Sequence, residues 1–268
     1  NDESRFGRSE TTAVTMWNVL KIAGQRNRQI LSNFLSLVVV QFANYLAPLI
    51  TLPYLFRVLG PSNYGLIEFA RAINLYFVIL TDYGFSLSAT REVSVHRDDP
   101  DRLSEIFSAV MLLKLLLVLA SFAALAALVF GLSRLRADWP VYFLSFGHVI
   151  GMWLFPLWFS KGLQRMKHIA VLNAGAKLLV IVLIFTLVRE ESDYLYVPLV
   201  QSLGYILAGA AGLIVAIRTS PVQFRMPPID SLVRELRSGW HIFISKMATT
   251  LYRTSSAVIL GLLTSSTF

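Results

Sequence analysis

Seven long apolar runs, separated by short polar segments, leave this chain few ways to fold. They occupy approximately residues 30 to 55, 64 to 87, 104 to 130, 139 to 160, 169 to 188, 194 to 217 and 239 to 263. A helix needs about 20 mostly apolar residues to cross roughly 30 Å of hydrocarbon, and each run has that length. With 55% hydrophobic residues, 15% charged and a mean hydropathy of +0.61, the 268-residue chain is too apolar for a soluble domain. The expected fold is all-α: a polytopic helical membrane protein of about seven transmembrane helices. Residues 1–29 form a polar cytoplasmic segment, 30–217 a six-helix N-terminal bundle, 218–238 a basic linker with an amphipathic part, and 239–268 the first helix of a second bundle.

Several chemistries find no support. Residues 1–29 hold no apolar h-region, so no cleavable signal peptide is expected and the first helix directs insertion. The chain has no cysteine, which excludes a disulfide framework and any thiolate-bound metal. Its four histidines, His96, His148, His168 and His241, lack ligand spacing. No phosphate-binding glycine pattern follows a strand, and no nucleophile stands with a base. No cofactor, no metal and no enzymatic activity are therefore expected. The cluster of His96 with Asp98, Asp99 and Asp101 reads as a solvated loop.

Basic residues lie mostly on one side of the seven spans. The N-terminal segment and alternate loops hold fifteen: Arg5, Arg8, Lys21, Arg26, Arg28, Arg91, Arg97, Arg102, Lys161, Arg165, Lys167, Arg218, Arg225, Arg234 and Arg237. The opposite loops hold Arg57, Arg134, Arg136 and Arg189. The positive-inside rule then predicts a cytoplasmic N-terminus. The net charge of +8 reflects this asymmetry and contact with anionic lipids, so membrane lipids rather than nucleic acid are the expected partners.

Five basic residues fall inside predicted spans: Arg71, Lys114, Lys177, Lys246 and Arg253. A charge at mid-bilayer costs about 2.5 to 3.5 kcal/mol even on the lenient insertion scale, so such residues normally face a bundle interior or a wet cavity. At about 100° per residue, Asn33, Gln41, Asn44 and Thr51 share an arc of roughly 80° on the first helix. Glu68, Arg71 and Asp82 share about 60° of the second, with Glu68 and Arg71 at pairing distance i, i+3. On the last helix His241, Ser245, Thr249, Tyr252, Arg253 and Ser256 share about 120°, with Lys246 near Arg253. Two readings are open: a lumen that attracts an anion, or contacts with carboxylates and carbonyls that only join helices. Arg71, beside Glu68, fits the second most readily.

Loops and breaks complete the plan. Pro48 and Pro53 predict a bend near the outer end of the first helix, and "RVLGPSNYG" (57–65) predicts a tight outer turn. "REVSVHRDDPDRLSEIF" (91–107) is an expected inner loop, with Asp101 or Ser104 as the cap of the third helix. Trp139, Trp153, Trp158, Tyr194 and Tyr196 are expected as interfacial anchors. Pro221, Pro227 and Pro228 mark a linker before a basic amphipathic helix lying on the membrane, an arrangement that fits two six-helix halves.

The stretches "QFANYLAPLITLPYLFRVLGPSNYGLIEFARA" (41–72) and "YFVILTDYGFSLSATREVSVHRDDPDRLSEIFSAVMLLKLLL" (76–117) resemble the Wzx-type O-antigen and polysaccharide flippases of the multidrug/oligosaccharidyl-lipid/polysaccharide exporter superfamily. "LWFSKGLQRMKHIA" (157–170) and "YRTSSAVILGLLTSS" (252–266) are similar to further blocks in the same order. Members have about twice as many spans, so the resemblance makes this chain an N-terminal half plus one helix. It implies a bacterial inner-membrane protein that turns an undecaprenyl-pyrophosphate-linked oligosaccharide from the inner to the outer leaflet. Coupling to a proton or sodium gradient follows from it, with a polysaccharide polymerase and chain-length regulator as partners.

In that frame Arg71, Lys114, Lys177, Lys246 and Arg253 would stabilise the anionic headgroup. Asn33, Gln41, Asn44 and Tyr252 would bond sugar hydroxyls, and Glu68 and Asp82 would carry the coupling ion. The alternatives are a multidrug antiporter of the same superfamily, for which so many lysines are ill suited, or a membrane glycan-assembly enzyme or scaffold. Against an enzyme stand the short outer loops.

Overall fold

A computed structural model gives the fold; it describes residue 38 and residues 48–264, the side chains of 167, 168, 251 and 253–264 excepted. Asn33, Gln41 and Asn44 lie outside the described residues. Arg253 lies in a described helix, but its side chain does not belong to the described set.

The helical segment α1 runs Pro48–Asp82. A straight helix of this length would extend about 52 Å, yet the rings of Phe56 and Tyr64 stand 6.0 Å apart, and Thr51 and Arg71 line one cavity. The segment folds back at Gly60, whose φ of 74° is the left-handed conformation that glycine adopts without penalty. This is the outer turn expected at 57–65. Tyr54 donates to the Val188 carbonyl at 2.6 Å and Asn63 to the Glu191 carboxylate at 3.3 Å, fixing the turn against the next elements at that end.

The second apolar run stops earlier than expected. Helix ends at Asp82 because Tyr83 (φ 44°) and Gly84 (φ 84°) turn left-handed, and a separate α2 follows at Ser88–Val95. Of the expected inner loop, only residues 96–99 therefore lie outside a helix. Helix α3, Pro100–Gly131, is capped by Asp99, which accepts from the Arg102 amide at 3.0 Å. Asp101 and Ser104 are not the cap: Pro100, with φ preset and no N–H to satisfy, takes the first helical position and puts the cap one residue earlier.

After α4, Ser133–Arg136, the fourth run splits into α5, Trp139–Leu154, and α6, Leu157–Gly162, because Pro156 cannot continue the ladder. Helix α7 is Lys167–Leu187. A 3-10 turn, Glu191–Leu195, leads into α8, Tyr196–Thr219. Residues 220–228 have no regular secondary structure, and α9, Ile229–Thr264, runs past residue 238 without a break. Among the described residues, five segments are long and apolar enough to cross a membrane: Pro48–Asp82, Pro100–Gly131, Trp139–Gly162, Ile169–Leu187 and Glu191–Thr219. Among the described residues there is no strand, so the all-α class holds.

One core lies toward the Gly60 end, built on Leu59, Leu125, Tyr142, Phe146 and Val149. A second lies toward the opposite end, on Phe85, Val93, Ile106, Phe107, Trp158 and Phe159. Trp158 is buried there against Phe107, and Trp153 donates to the Met111 carbonyl at 3.2 Å. Trp158 does not act as the interfacial anchor expected of it: beyond the Pro156 break its ring is packed in the core. Leu116, Leu119, Leu178, Val182 and Leu207 are exposed, as suits helices solvated by lipid. Helices α5 and α8 approach closely through small residues: a Cβ on Gly209 would stand 2.6 Å from the Gly151 carbonyl oxygen. Such contacts drive association where lipid offers no hydrophobic force.

Candidate functional site

A cavity of about 230 Å³ opens between α1, α5, α7 and α8. Four polar stripes line it at helical spacing: Thr51 with Glu68 and Arg71 from the two arms of α1, Ser145 and His148 from α5, Asn173 and Lys177 from α7, Gln201 and Tyr205 from α8. Residues three or four apart share a helix face, so each helix turns its pair inward together. Arg71 reaches the Glu68 carboxylate at 2.8 Å. The rings of His148 and Tyr205 stack at 4.0 Å. The Asn173 side-chain oxygen is buried without a hydrogen-bond partner.

Of the candidate residues, Arg71, Lys177 and Glu68 come together in this cavity. His148, Asn173, Gln201 and Tyr205 were not anticipated. Their signal was present as spacing: Ser145 and His148 at i, i+3, and Asn173 and Lys177, like Gln201 and Tyr205, at i, i+4. Each pair holds at least one uncharged group that an apolar background hides.

Lys114, Lys246 and Asp82 gather elsewhere, at the left-handed turn after α1. Lys246 of α9 donates to Asp82 at 2.7 Å and to the Ser86 hydroxyl. Tyr83 stacks on Phe243 with centroids 4.9 Å apart. Gly84 and Gly239 bring the two backbones together: a Cβ on Gly239 would stand 2.5 Å from the Tyr83 carbonyl oxygen. The turn thus forms a socket for α9, and the Lys246–Asp82 pair closes it.

Lys114 is buried and donates to the Met152 carbonyl at 3.1 Å. In an unbroken helix that carbonyl would accept from residue 156, but Pro156 has no N–H. Lys114 supplies the missing donor, within electrostatic reach of Asp82 and Lys246. Tyr252 is exposed on α9.

The chain is similar to known proteins over most of its length. The family described as "Polysaccharide biosynthesis protein" matches residues 30–267. The chain is 31% identical over 235 residues to the "Putative O-antigen transporter" of Escherichia coli (strain K12), covering 88% of this chain and 57% of that protein. It is 25% identical over 229 residues to the protein of the same description from Shigella dysenteriae, covering 85% and 57%. The chain therefore spans somewhat over half the length of these relatives. No solved structure matches it. Lipid-length apolar helices, a polar cavity inside them and a match over nearly the whole chain agree on one assignment: the chain belongs to the polysaccharide biosynthesis protein family.

Proposed function

We propose that this chain forms part of a flippase for a lipid-linked oligosaccharide, an O-antigen or exopolysaccharide unit carried on undecaprenyl pyrophosphate, in the bacterial inner membrane. The observation that carries the reading is the cavity, lined by two cations and one carboxylate together with amide, hydroxyl and imidazole groups. Two cations against one carboxylate favour an anionic ligand, and the neutral groups suit sugar hydroxyls. The likeness to proteins described as O-antigen transporters supports a transport role. In this reading the Glu68–Arg71 pair is the place where ion coupling meets the substrate, with a proton or sodium as the coupling ion. The N-terminus is cytoplasmic, and the polymerase and chain-length regulator act on the product.

The test is complementation of a strain lacking its O-antigen flippase by the gene product containing this chain. Arg71→Gln and Lys177→Gln should insert normally and reduce surface O-antigen, whereas Tyr252→Phe, outside the cavity, should have a smaller effect. Full complementation by both cavity variants would remove the cavity from the pathway.

A further inference from the structure

Among the described residues, Glu235 is the one carboxylate that is fully buried, at 1% exposure. It lies in the first turns of α9, before the predicted seventh span, on the face that carries Ser231, Glu235 and Gly239 at intervals of four residues. That face docks on α2 and α3. Beside it Glu105 of α3 takes the available donors: Arg102 bonds it at 2.6 Å, Arg234 at 3.0 Å, and the Ser231 hydroxyl also bonds it. One oxygen of Glu235 is left buried with no hydrogen-bond partner.

An ionised carboxylate in that position would lack compensation. The charged groups facing it are Glu92 from α2, Arg102 and Glu105 from α3 and Arg234 from α9. They sum to no net charge, and both arginines are committed to Glu105. We propose that Glu235 is a proton-binding site in the joint between the linker and the first bundle, and that its protonation holds α9 docked on α2 and α3. This goes beyond transport, because the joint connects the seventh span to the first bundle whatever the cavity carries.

Burial, and next the nearby Glu92, push the Glu235 carboxyl up from 4.5 to about 7, against the downward pull of Arg234 and Arg102. The sign follows from linkage. Below pH 4.5 both docked and undocked forms hold the proton and docking is strongest. Between 4.5 and about 7 the undocked form ionises first, so docking weakens as pH rises, and above 7 it levels off. The undocked population grows roughly tenfold per pH unit inside that window, or roughly 40-fold from pH 5 to pH 7.

Hydrogen exchange on the protein in lipid nanodiscs tests this, with rates over residues 229–239 corrected for intrinsic base catalysis. The wild type should lose protection by that factor between pH 5 and pH 7, and Glu235→Gln, a permanent mimic of the protonated acid, should stay protected and flat. An unchanged protection factor in the wild type, or an equal slope in Glu235→Gln, overturns the proposal. Should Glu235→Gln fail to fold, infrared titration of the wild type decides: a protonated-carboxyl band that disappears near pH 7 supports the site, and a band lost by pH 5 overturns it.

Discussion

The socket that receives α9 makes a sharp prediction for Gly84→Ala. Two separable effects act there. Gly84 has φ 84°, and an L-residue held in the left-handed region costs about 1 to 2 kcal/mol. An added Cβ would also stand 2.6 Å from the Gly239 carbonyl oxygen and 2.9 Å from the Ile242 Cβ, whereas carbon atoms prefer about 3.5 to 4.0 Å. The α9 backbone must retreat, at an overpacking cost of about 1 to 3 kcal/mol. Gly60→Ala is the control. It has a similar φ of 74°, but the nearest atom to its added Cβ would be 3.8 Å away, on the Glu191 side chain, so it carries only the first cost. Hydrogen exchange by mass spectrometry in nanodiscs reads the difference locally. In Gly84→Ala, protection of residues 239–246 should fall by roughly 5- to 150-fold, the equivalent of the overpacking cost. In Gly60→Ala the same peptide should be unchanged. Equal effects of the two substitutions on 239–246 would refute the close approach of the turn and α9.

Two further outcomes follow from the same region. A double-mutant cycle of Asp82→Asn and Lys246→Gln, read by equilibrium unfolding in mixed micelles, should give a coupling of about 1 to 2 kcal/mol. That lies below the value for fully buried pairs, because the two side chains keep 24% and 35% exposure; a coupling of zero would deny the pair any part in docking. Lys114→Met should cost about 1 to 3 kcal/mol by stranding the Met152 carbonyl, and adding Pro156→Ala should recover part of the loss by restoring the backbone donor. No recovery in that double variant would show that Lys114 is held for another reason.

What the sequence made legible and what it hid have distinct physical causes. Helices were readable because lipid demands a minimum apolar length, and the turn at Gly60 was readable because its residues favour no continuation of a helix. The end of the second helix at Asp82 was hidden: it depends on Gly84 meeting Gly239 from a segment 155 positions later, a contact that no local pattern announces. The cap of α3 moved to Asp99 because Pro100 outranks a downstream side chain in fixing the helix start. Among the predicted polar stripes, angle alone grouped Glu68, Arg71 and Asp82, yet depth separates them. Glu68 and Arg71 face the cavity, while Asp82 sits at the end of the helix, where it meets Lys246. Lys114 could not be assigned without knowing that Pro156 leaves a carbonyl 38 residues away, on α5, in need of a donor. Glu235 was read only as part of a basic amphipathic segment, since its burial against α2 and α3 is a property of the docked joint.

The central claim is that the cavity of α1, α5, α7 and α8 belongs to a path for an anionic, sugar-bearing lipid. Its most direct measurement is translocation of a fluorescent undecaprenyl-pyrophosphate-linked oligosaccharide in proteoliposomes containing the gene product of which this chain is part. Leaflet exchange is followed by a membrane-impermeant quencher, with the wild type beside Arg71→Gln and Lys177→Gln. The account predicts rapid exchange for the wild type and a clear slowing in each variant at equal reconstitution. Wild-type exchange no faster than in empty liposomes, or equal rates in all three proteins, would contradict it.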